Sequence, residues 1–238
     1  SNRFHDSIIT NTCRKNGITV CNCAGYSTAA VADLVFGMLI TLYRNLMLCD
    51  QAARNGGTKD GLIGFELEGK KFGIVGTGAI GLRTAAIANA FGCEVYAYSR
   101  TKKTVPGVTY VSLDDLMASC DIISLHVPMT AETAGLIDAD KIALMKKNAV
   151  LINTARGGIV DSGALAAALN EERIAGACID VFENEPPLAE DHPLLTAKHT
   201  VVAPHIGFAT KEALVKRAVI VFDNIVKYLD GQPQNVMK

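Results

Sequence analysis

The sequence predicts an α/β fold built on a doubly wound parallel sheet, and three observations lead there. Short, almost wholly apolar runs recur at residues 72–75, 121–126, 150–154, 177–181 and 200–203. Helix-forming stretches separate most of them. The first run breaks into a turn carrying Gly76, Gly78 and Gly81. Runs that are apolar on successive residues are buried on both faces, and strands alternating with helices join as parallel neighbours. Of the 238 residues, 49% are hydrophobic and 20% are charged, so a sizeable core is available and disorder is not expected. The length suits one large domain, or one domain plus part of another.

The elements follow in order. Residues 29–43 form the most apolar stretch; Asp33 interrupts it and Arg44 ends it. It is too short for a membrane span, which needs about 20 apolar residues, and reads as a buried helix. Residues 72–75 are a strand, 79–91 a helix stopped by Gly92, and 94–98 a second strand. A short helix at 113–119 precedes the strand at 121–126. Residues 139–145 are helical and 150–154 form a strand. Ser162 caps a helix reaching Asn170, strands follow at 177–181 and 200–203, and a long amphipathic helix at 211–229 closes at Gly231. No internal repeat or low-complexity tract is visible.

Composition excludes several classes. The formal net charge is −1, which leaves no basic excess to grip a nucleic-acid backbone. Residues 1–15 lack the apolar core of a signal peptide. The seven cysteines are odd in number and scattered, with no CxxC pair. That argues against a disulfide framework or a zinc site and for free thiols in a reducing cytoplasm.

The run Phe72-Gly-Ile-Val-Gly76-Thr-Gly78-Ala79-Ile80-Gly81 fits GxGxxG directly after a strand and at the start of a helix. Gly76 permits the tight turn, Gly78 lets the backbone approach a pyrophosphate, and Gly81 permits close helix–strand packing. The helix N-terminus offers free N–H groups to the phosphates. The context on both sides favours a Rossmann dinucleotide site over a plain structural turn.

In open α/β sheets, ligands bind beyond the carboxyl ends of the strands. Several strands here end in reactive side chains: 150–154 runs into Arg156, 177–181 carries Asp180 and leads to Glu183 and Glu185, and 200–203 leads to Pro204, His205 and Gly207. An Arg, a carboxylate and a His together suit reduction of a 2-keto acid. Imidazolium supplies the proton for the forming alkoxide, a carboxylate holds the ring and favours its charged form, and a guanidinium holds the substrate carboxylate bidentately. Singly, each has a plain reading: His205 as a core histidine, Arg156 as a surface ion-pair donor, Glu185 as a solvated acid before Pro186. Their joint appearance favours the functional one. His126 is read as structural, and His5, His192 and His199 as surface or loop residues.

Together these segments resemble the D-isomer-specific 2-hydroxyacid dehydrogenases. The resemblance rests on Gly76 to Gly81, His126-Val127-Pro128-Met-Thr130 with Thr133, Asn153-Thr154-Ala155-Arg156-Gly-Gly158, Asp180-Val-Phe-Glu-Asn-Glu185-Pro186 and Pro204-His205-Ile-Gly207, in that order. It covers nearly the whole chain from about Lys15. It implies that Arg156 binds the substrate carboxylate or carbonyl, that His205 is the general acid/base and that Glu185 orients it. It places Asp180 at the nicotinamide carboxamide and Val127, Pro128, Thr133, Thr154, Ala155 and Gly207 along the cofactor. It implies a homodimer through residues 24–45, and a small 2-hydroxy or 2-keto acid as substrate. Residues 1–23 then read as a remnant of a flavodoxin-like substrate domain, 24–206 as the Rossmann domain and 207–238 as a helix returning to the substrate domain. Most of that substrate domain has no counterpart here, so residues 1–238 alone are expected to bind a dinucleotide and to reduce keto acids poorly. The family also contains corepressors, so a dinucleotide-gated binding module is the competing function.

One feature departs from NAD-type Rossmann domains, which place an acid at the end of the second strand to bind the ribose hydroxyls and repel a 2′-phosphate. Here that strand continues Ser99-Arg100-Thr101-Lys102-Lys103, and its only acid, Glu94, stands at the other end. The hydroxyls and the guanidinium suit a phosphate, so NADP(H) is expected over NAD(H), with Arg100 the main determinant; a solvated basic turn is the plain alternative.

Overall fold

A computed structural model describes residues 12–237. Seven parallel strands form a single sheet: β1 (Lys71–Val75), β2 (Glu94–Tyr98), β3 (Val108–Tyr110), β4 (Ile122–Leu125), β5 (Val150–Asn153), β6 (Gly176–Ile179) and β7 (Thr200–Val202). Their spatial order is β3-β2-β1-β4-β5-β6-β7. The chain builds outward from β1 to β3, then returns to the other side of β1. The switch point, where such sheets open a crevice, therefore lies between β1 and β4.

Alternation along each strand sorts the core into two layers. Phe72, Ile74, Ile122, Val150, Ile152 and Cys178 pack with Val35, Phe36, Met38 and Leu39 of α1 (Thr28–Tyr43) and with Ala85 and Ala88 of α2 (Ala79–Ala90), taking the helices that flank this face as α1 and α2. Val75, Ile123, Leu125, Leu151, Ala177 and Ile179 face the other way. They meet α3 (Leu113–Ser119), α4 (Ala139–Leu144), α5 (Ser162–Asn170) and the short α6 (Pro193–Thr196) through Leu116, Ile142, Leu165 and Leu194. Strands buried on both faces account for their unbroken apolar runs.

Caps set the helix starts. Ser112, Asp138 and Thr210 each accept a backbone N–H from inside the helix they precede. The expected cap at Ser162 is corrected: Asp161 is the N-cap, its Oδ1 accepting from Ala164 N at 2.9 Å, and Ser162 is the first helical residue. Several short elements among the described residues carry too little pattern for the sequence to predict them, including a 3-10 turn at Gly157–Ile159. Others are β3, α6 and a helix at Leu46–Arg54 that follows α1 and buries none of its residues.

The apolar α1 is buried within its own domain. The large exposed apolar residues near it come afterwards, at Leu46, Met47, Leu48, Ile63 and Phe65. The closing helix α7 (Lys211–Leu229) buries only Ala213 and Asn224. Asn224 Nδ2 donates to Asn22 O at 3.0 Å and Asn235 Nδ2 to Asn224 Oδ1 at 2.9 Å, while Cys21 pairs with Val236 antiparallel. Residues near the two ends of the chain thus meet on α7. Among the described residues, no single helix is long and apolar enough to cross a membrane. His5 lies outside the described residues.

Candidate active site

The glycine turn joins β1 to α2 at the switch point. Gly76 sits at φ +102°, and a Cβ there would stand 2.9 Å from the His126 carbonyl carbon and from Val127 Cγ1. Only glycine fits this conformation against the β4 loop. Gly81 brings α2 onto the turn, since its Cβ would stand 2.0 Å from Gly76 O. Gly78, the N-cap of α2, is different: a Cβ there meets nothing within 4 Å. Protein sterics do not demand glycine at this position, whereas close approach of a pyrophosphate does. Lys103 reaches across and donates to Thr77 O at 2.9 Å, which sets a cation beside the turn.

Beyond the carboxyl ends of β4, β5 and β6 lies a cleft of about 360 Å³, lined by Ile80, Val127, Pro128, Thr154, Ala155, Arg156, Asp180, His205 and Gly207 among others. Residues that stand far apart in sequence therefore share one wall, as the strand-end argument expects. Two buried polar atoms here have no partner among the described residues: Thr154 Oγ1 and Arg156 Nε. Arg156 Nη1 donates to Ala155 O at 2.6 Å, which turns the guanidinium into position and leaves Nε for a ligand. Orphaned donors are costly unless something binds them, so the cleft fits a ligand with carboxylate and carboxamide acceptors.

His205 and Glu185 come together. His205 Nδ1 stands 2.6 Å from Glu185 Oε1, with the two side chains 30% and 15% exposed. His205 adopts φ +58°, an uncommon conformation for a residue with a Cβ. Asp180 maintains it. Its carboxylate is fully buried and accepts from Ile206 N and Gly207 N, each at 2.8 Å. Two consecutive amides drawn onto one carboxylate fold the loop so that the His205 ring projects towards Glu185. Burial raises the Asp180 carboxyl above the usual range against the lowering pull of these two bonds. Asp180 was expected at the carboxamide; it does line the cleft, and both its oxygens hold the histidine loop.

His126 lines the same cleft with Nε2 2.9 Å from Ser124 Oγ. Burial pushes its imidazole down to about 4, so the ring is neutral near pH 7 and donates no catalytic proton. Thr133 holds its own loop, its hydroxyl donating to Pro128 O and accepting from Thr130 N at 2.8 Å. Ser99, Arg100 and Thr101 follow β2, off the cleft, and Arg100 Nη1 pairs with Glu132 Oε2 at 3.2 Å on the surface.

The surface reading of His192 is corrected. Its side chain is 12% exposed, with Nε2 2.8 Å from Glu183 Oε2 and its ring edge-on to Phe182. The signal was its place directly before Pro193: proline favours the first helical position, which makes the preceding residue a cap. His192 Nδ1 does accept from Leu194 N.

Comparison with known proteins identifies the family and the fold. Residues 36–207 match the family described as D-isomer specific 2-hydroxyacid dehydrogenase, NAD binding domain. A glyoxylate reductase of Thermococcus litoralis is 42% identical over 246 residues, which cover 98% of this chain and 74% of that protein. An acyclic imino acid reductase solved in complex with NADPH and D-Arg superposes with a TM-score of 0.89 at 35% identity, covering 96% of this chain and 74% of the other. A D-lactate dehydrogenase from Aquifex aeolicus, complexed with NAD and lactic acid, gives 0.85 at 33% identity, covering 93% and 72%. The chain belongs to the D-isomer-specific 2-hydroxyacid dehydrogenases, a family of nicotinamide-dependent oxidoreductases, and carries their NAD-binding domain.

Proposed function

We propose that the protein reduces a small 2-keto acid, glyoxylate being the first to assay, to the corresponding 2-hydroxy acid. The observation that carries this reading is the 2.6 Å contact of His205 with Glu185 on a cleft that also holds the unpartnered Nε of Arg156. A bound reduced nicotinamide supplies the hydride. Arg156 holds the substrate carboxylate through its free guanidinium edge. Glu185 fixes the tautomer of His205, so that Nδ1 carries a hydrogen and Nε2 faces the reaction. As hydride reaches the carbonyl carbon, the C=O π pair moves to oxygen and takes the proton from Nε2. In the intact protein, His205→Ala is expected to lower kcat for NADPH-dependent glyoxylate reduction by roughly 10²–10⁴-fold, the usual contribution of a positioned proton donor. An unchanged kcat would reject the assignment.

For the cofactor we favour NADP(H) over NAD(H). Ser99, Arg100 and Thr101 supply two hydroxyls and a guanidinium where an acid would repel a 2′-phosphate. The Arg100–Glu132 pair is exposed, with side chains 87% and 75% accessible, so a phosphate displaces Glu132 at small cost. Dissociation constants for NADPH and NADH test this: Arg100→Ala should lose at least tenfold of the NADPH preference. A wild type that binds NADH more tightly overturns it. The exposed apolar residues at Leu46, Met47, Leu48, Ile63 and Phe65 support a homodimer through the arm that follows the 24–45 segment, whose own helix the domain buries. Seven free thiols fit a reducing compartment such as the cytoplasm.

A further inference from the structure

Glu183 stands two residues before Glu185, but it pairs with His192 where Glu185 pairs with His205. Its carboxylate takes a hydrogen bond from His192 Nε2 at 2.8 Å, with Ser162, at the start of α5, as a further polar neighbour. The tautomer of His192 follows from its neighbours. Nδ1 accepts the N–H of Leu194 at 3.3 Å, so it carries no hydrogen, and Nε2 is the donor to Glu183. A neutral ring therefore satisfies both bonds. The Phe182 ring meets the imidazole edge-on with centroids 4.9 Å apart. Burial would raise the Glu183 carboxyl, but its contacts with Ser162 and His192 outweigh it and hold it below the usual range.

These contacts close residues 183–192 into a loop whose two ends are tied side chain to side chain. The start of the loop rests on the arginine turn. A Cβ at Gly157, the residue after Arg156, would stand 1.9 Å from the Phe182 carbonyl carbon and 2.3 Å from Glu183 N. The segment bearing Glu185 therefore packs backbone to backbone on the segment bearing Arg156. The end of the loop caps α6. Glu185 projects from the middle of this closed loop to His205.

We propose that Glu183 and His192 are positioning residues for the proton-transfer pair: their bond, seated on Gly157 and Ser162, sets Glu185 against His205 and in register with Arg156. This rests on the reading of His205 as the proton donor. With the clamp open, Glu185 hangs on a loop of which most residues are exposed, and its carboxylate is no longer confined to hydrogen-bonding distance. A displacement of about 1 Å at a catalytic group costs up to roughly 10²-fold in rate.

The test compares His192→Ala, His192→Gln and His205→Ala in the intact protein, each checked for folding by circular dichroism and for NADPH affinity by fluorescence titration. His192→Ala is expected to lower kcat for glyoxylate reduction by roughly 10–100-fold. Its NADPH dissociation constant should stay within about twofold, because the clamp does not touch the cofactor turn. Its KM for glyoxylate should change less than its kcat, because Arg156 keeps its own bond to Ala155 O. His192→Gln returns an amide N–H to Glu183 and should recover most of the loss. A folded His192→Ala with wild-type kcat overturns the proposal, and so does a His192→Gln no better than His192→Ala. Should His192→Ala fail to fold, Glu183→Ala opens the same bond from the other side: a kcat loss of roughly tenfold or more supports the proposal, and a folded Glu183→Ala with wild-type kcat overturns it. An active His205→Ala would instead refute the proposed function itself.

Discussion

Gly76 and Gly78 occupy the same turn, yet a methyl group added to each meets opposite surroundings. At Gly76 it collides with the His126 and Val127 segment at a φ that L-residues rarely adopt; at Gly78 it meets open space. Gly76→Ala is therefore expected to destabilise the fold by more than about 1 kcal/mol. Gly78→Ala should change stability by less than about 1 kcal/mol, the scale of an N-cap substitution, and weaken dinucleotide binding at least tenfold. Thermal unfolding and NADPH titration of both variants separate the two roles; a Gly78→Ala protein with undiminished affinity would show that the pyrophosphate does not approach there. The motif itself was legible in sequence, and so were Arg156, Glu185 and His205, because each stands just beyond an apolar strand. Glu183 and His192 were not, because side chains nine residues apart in a loop show no periodicity that announces their contact.

Strands buried on both faces were readable to within a residue or two, since a run such as Val150-Leu-Ile-Asn153 permits little else. The three-residue β3 and the four-residue α6 were lost because so few residues carry no period. The amino ends of the strands hold a feature that sequence could not disclose. Asp121, just before β4, accepts Lys71 N at 2.9 Å, Lys146 Nζ at 2.6 Å and Asn148 Nδ2 at 3.1 Å, tying the starts of β1, β4 and β5 together. Burial would raise its carboxyl, yet these bonds win and hold it below the usual range. A carboxyl depressed in the folded state stabilises above its unfolded value, near pH 4, and loses that contribution as pH falls through the folded value. Asp121→Asn should cost about 2 kcal/mol at pH 7 and flatten the acid side of the stability curve below about pH 4. Urea unfolding at pH 7 and pH 3 checks this; an equal loss at both would remove the charge from the explanation.

Across the whole molecule, one sheet separates two tasks. Its amino edge is tied by the Asp121 network, and its carboxyl edge carries the cleft. Fold class and topology were predictable because alternating strands and helices with a glycine turn leave few ways to wind the chain. The burial of α1 was predictable from its all-round apolar character. Which body covers each apolar face was not: α1 packs on its own sheet, while α7 leaves Val215, Val219, Phe222 and Leu229 exposed. The central claim is that Glu185 and His205 act as one proton-transfer unit. Single-turnover oxidation of bound NADPH by glyoxylate, compared for wild type and Glu185→Gln, tests it most directly. The account predicts that Glu185→Gln is slower by at least tenfold near pH 7.5, because a neutral amide holds and polarises the proton-donating imidazole less than a carboxylate does. Equal single-turnover rates for the two proteins would contradict it.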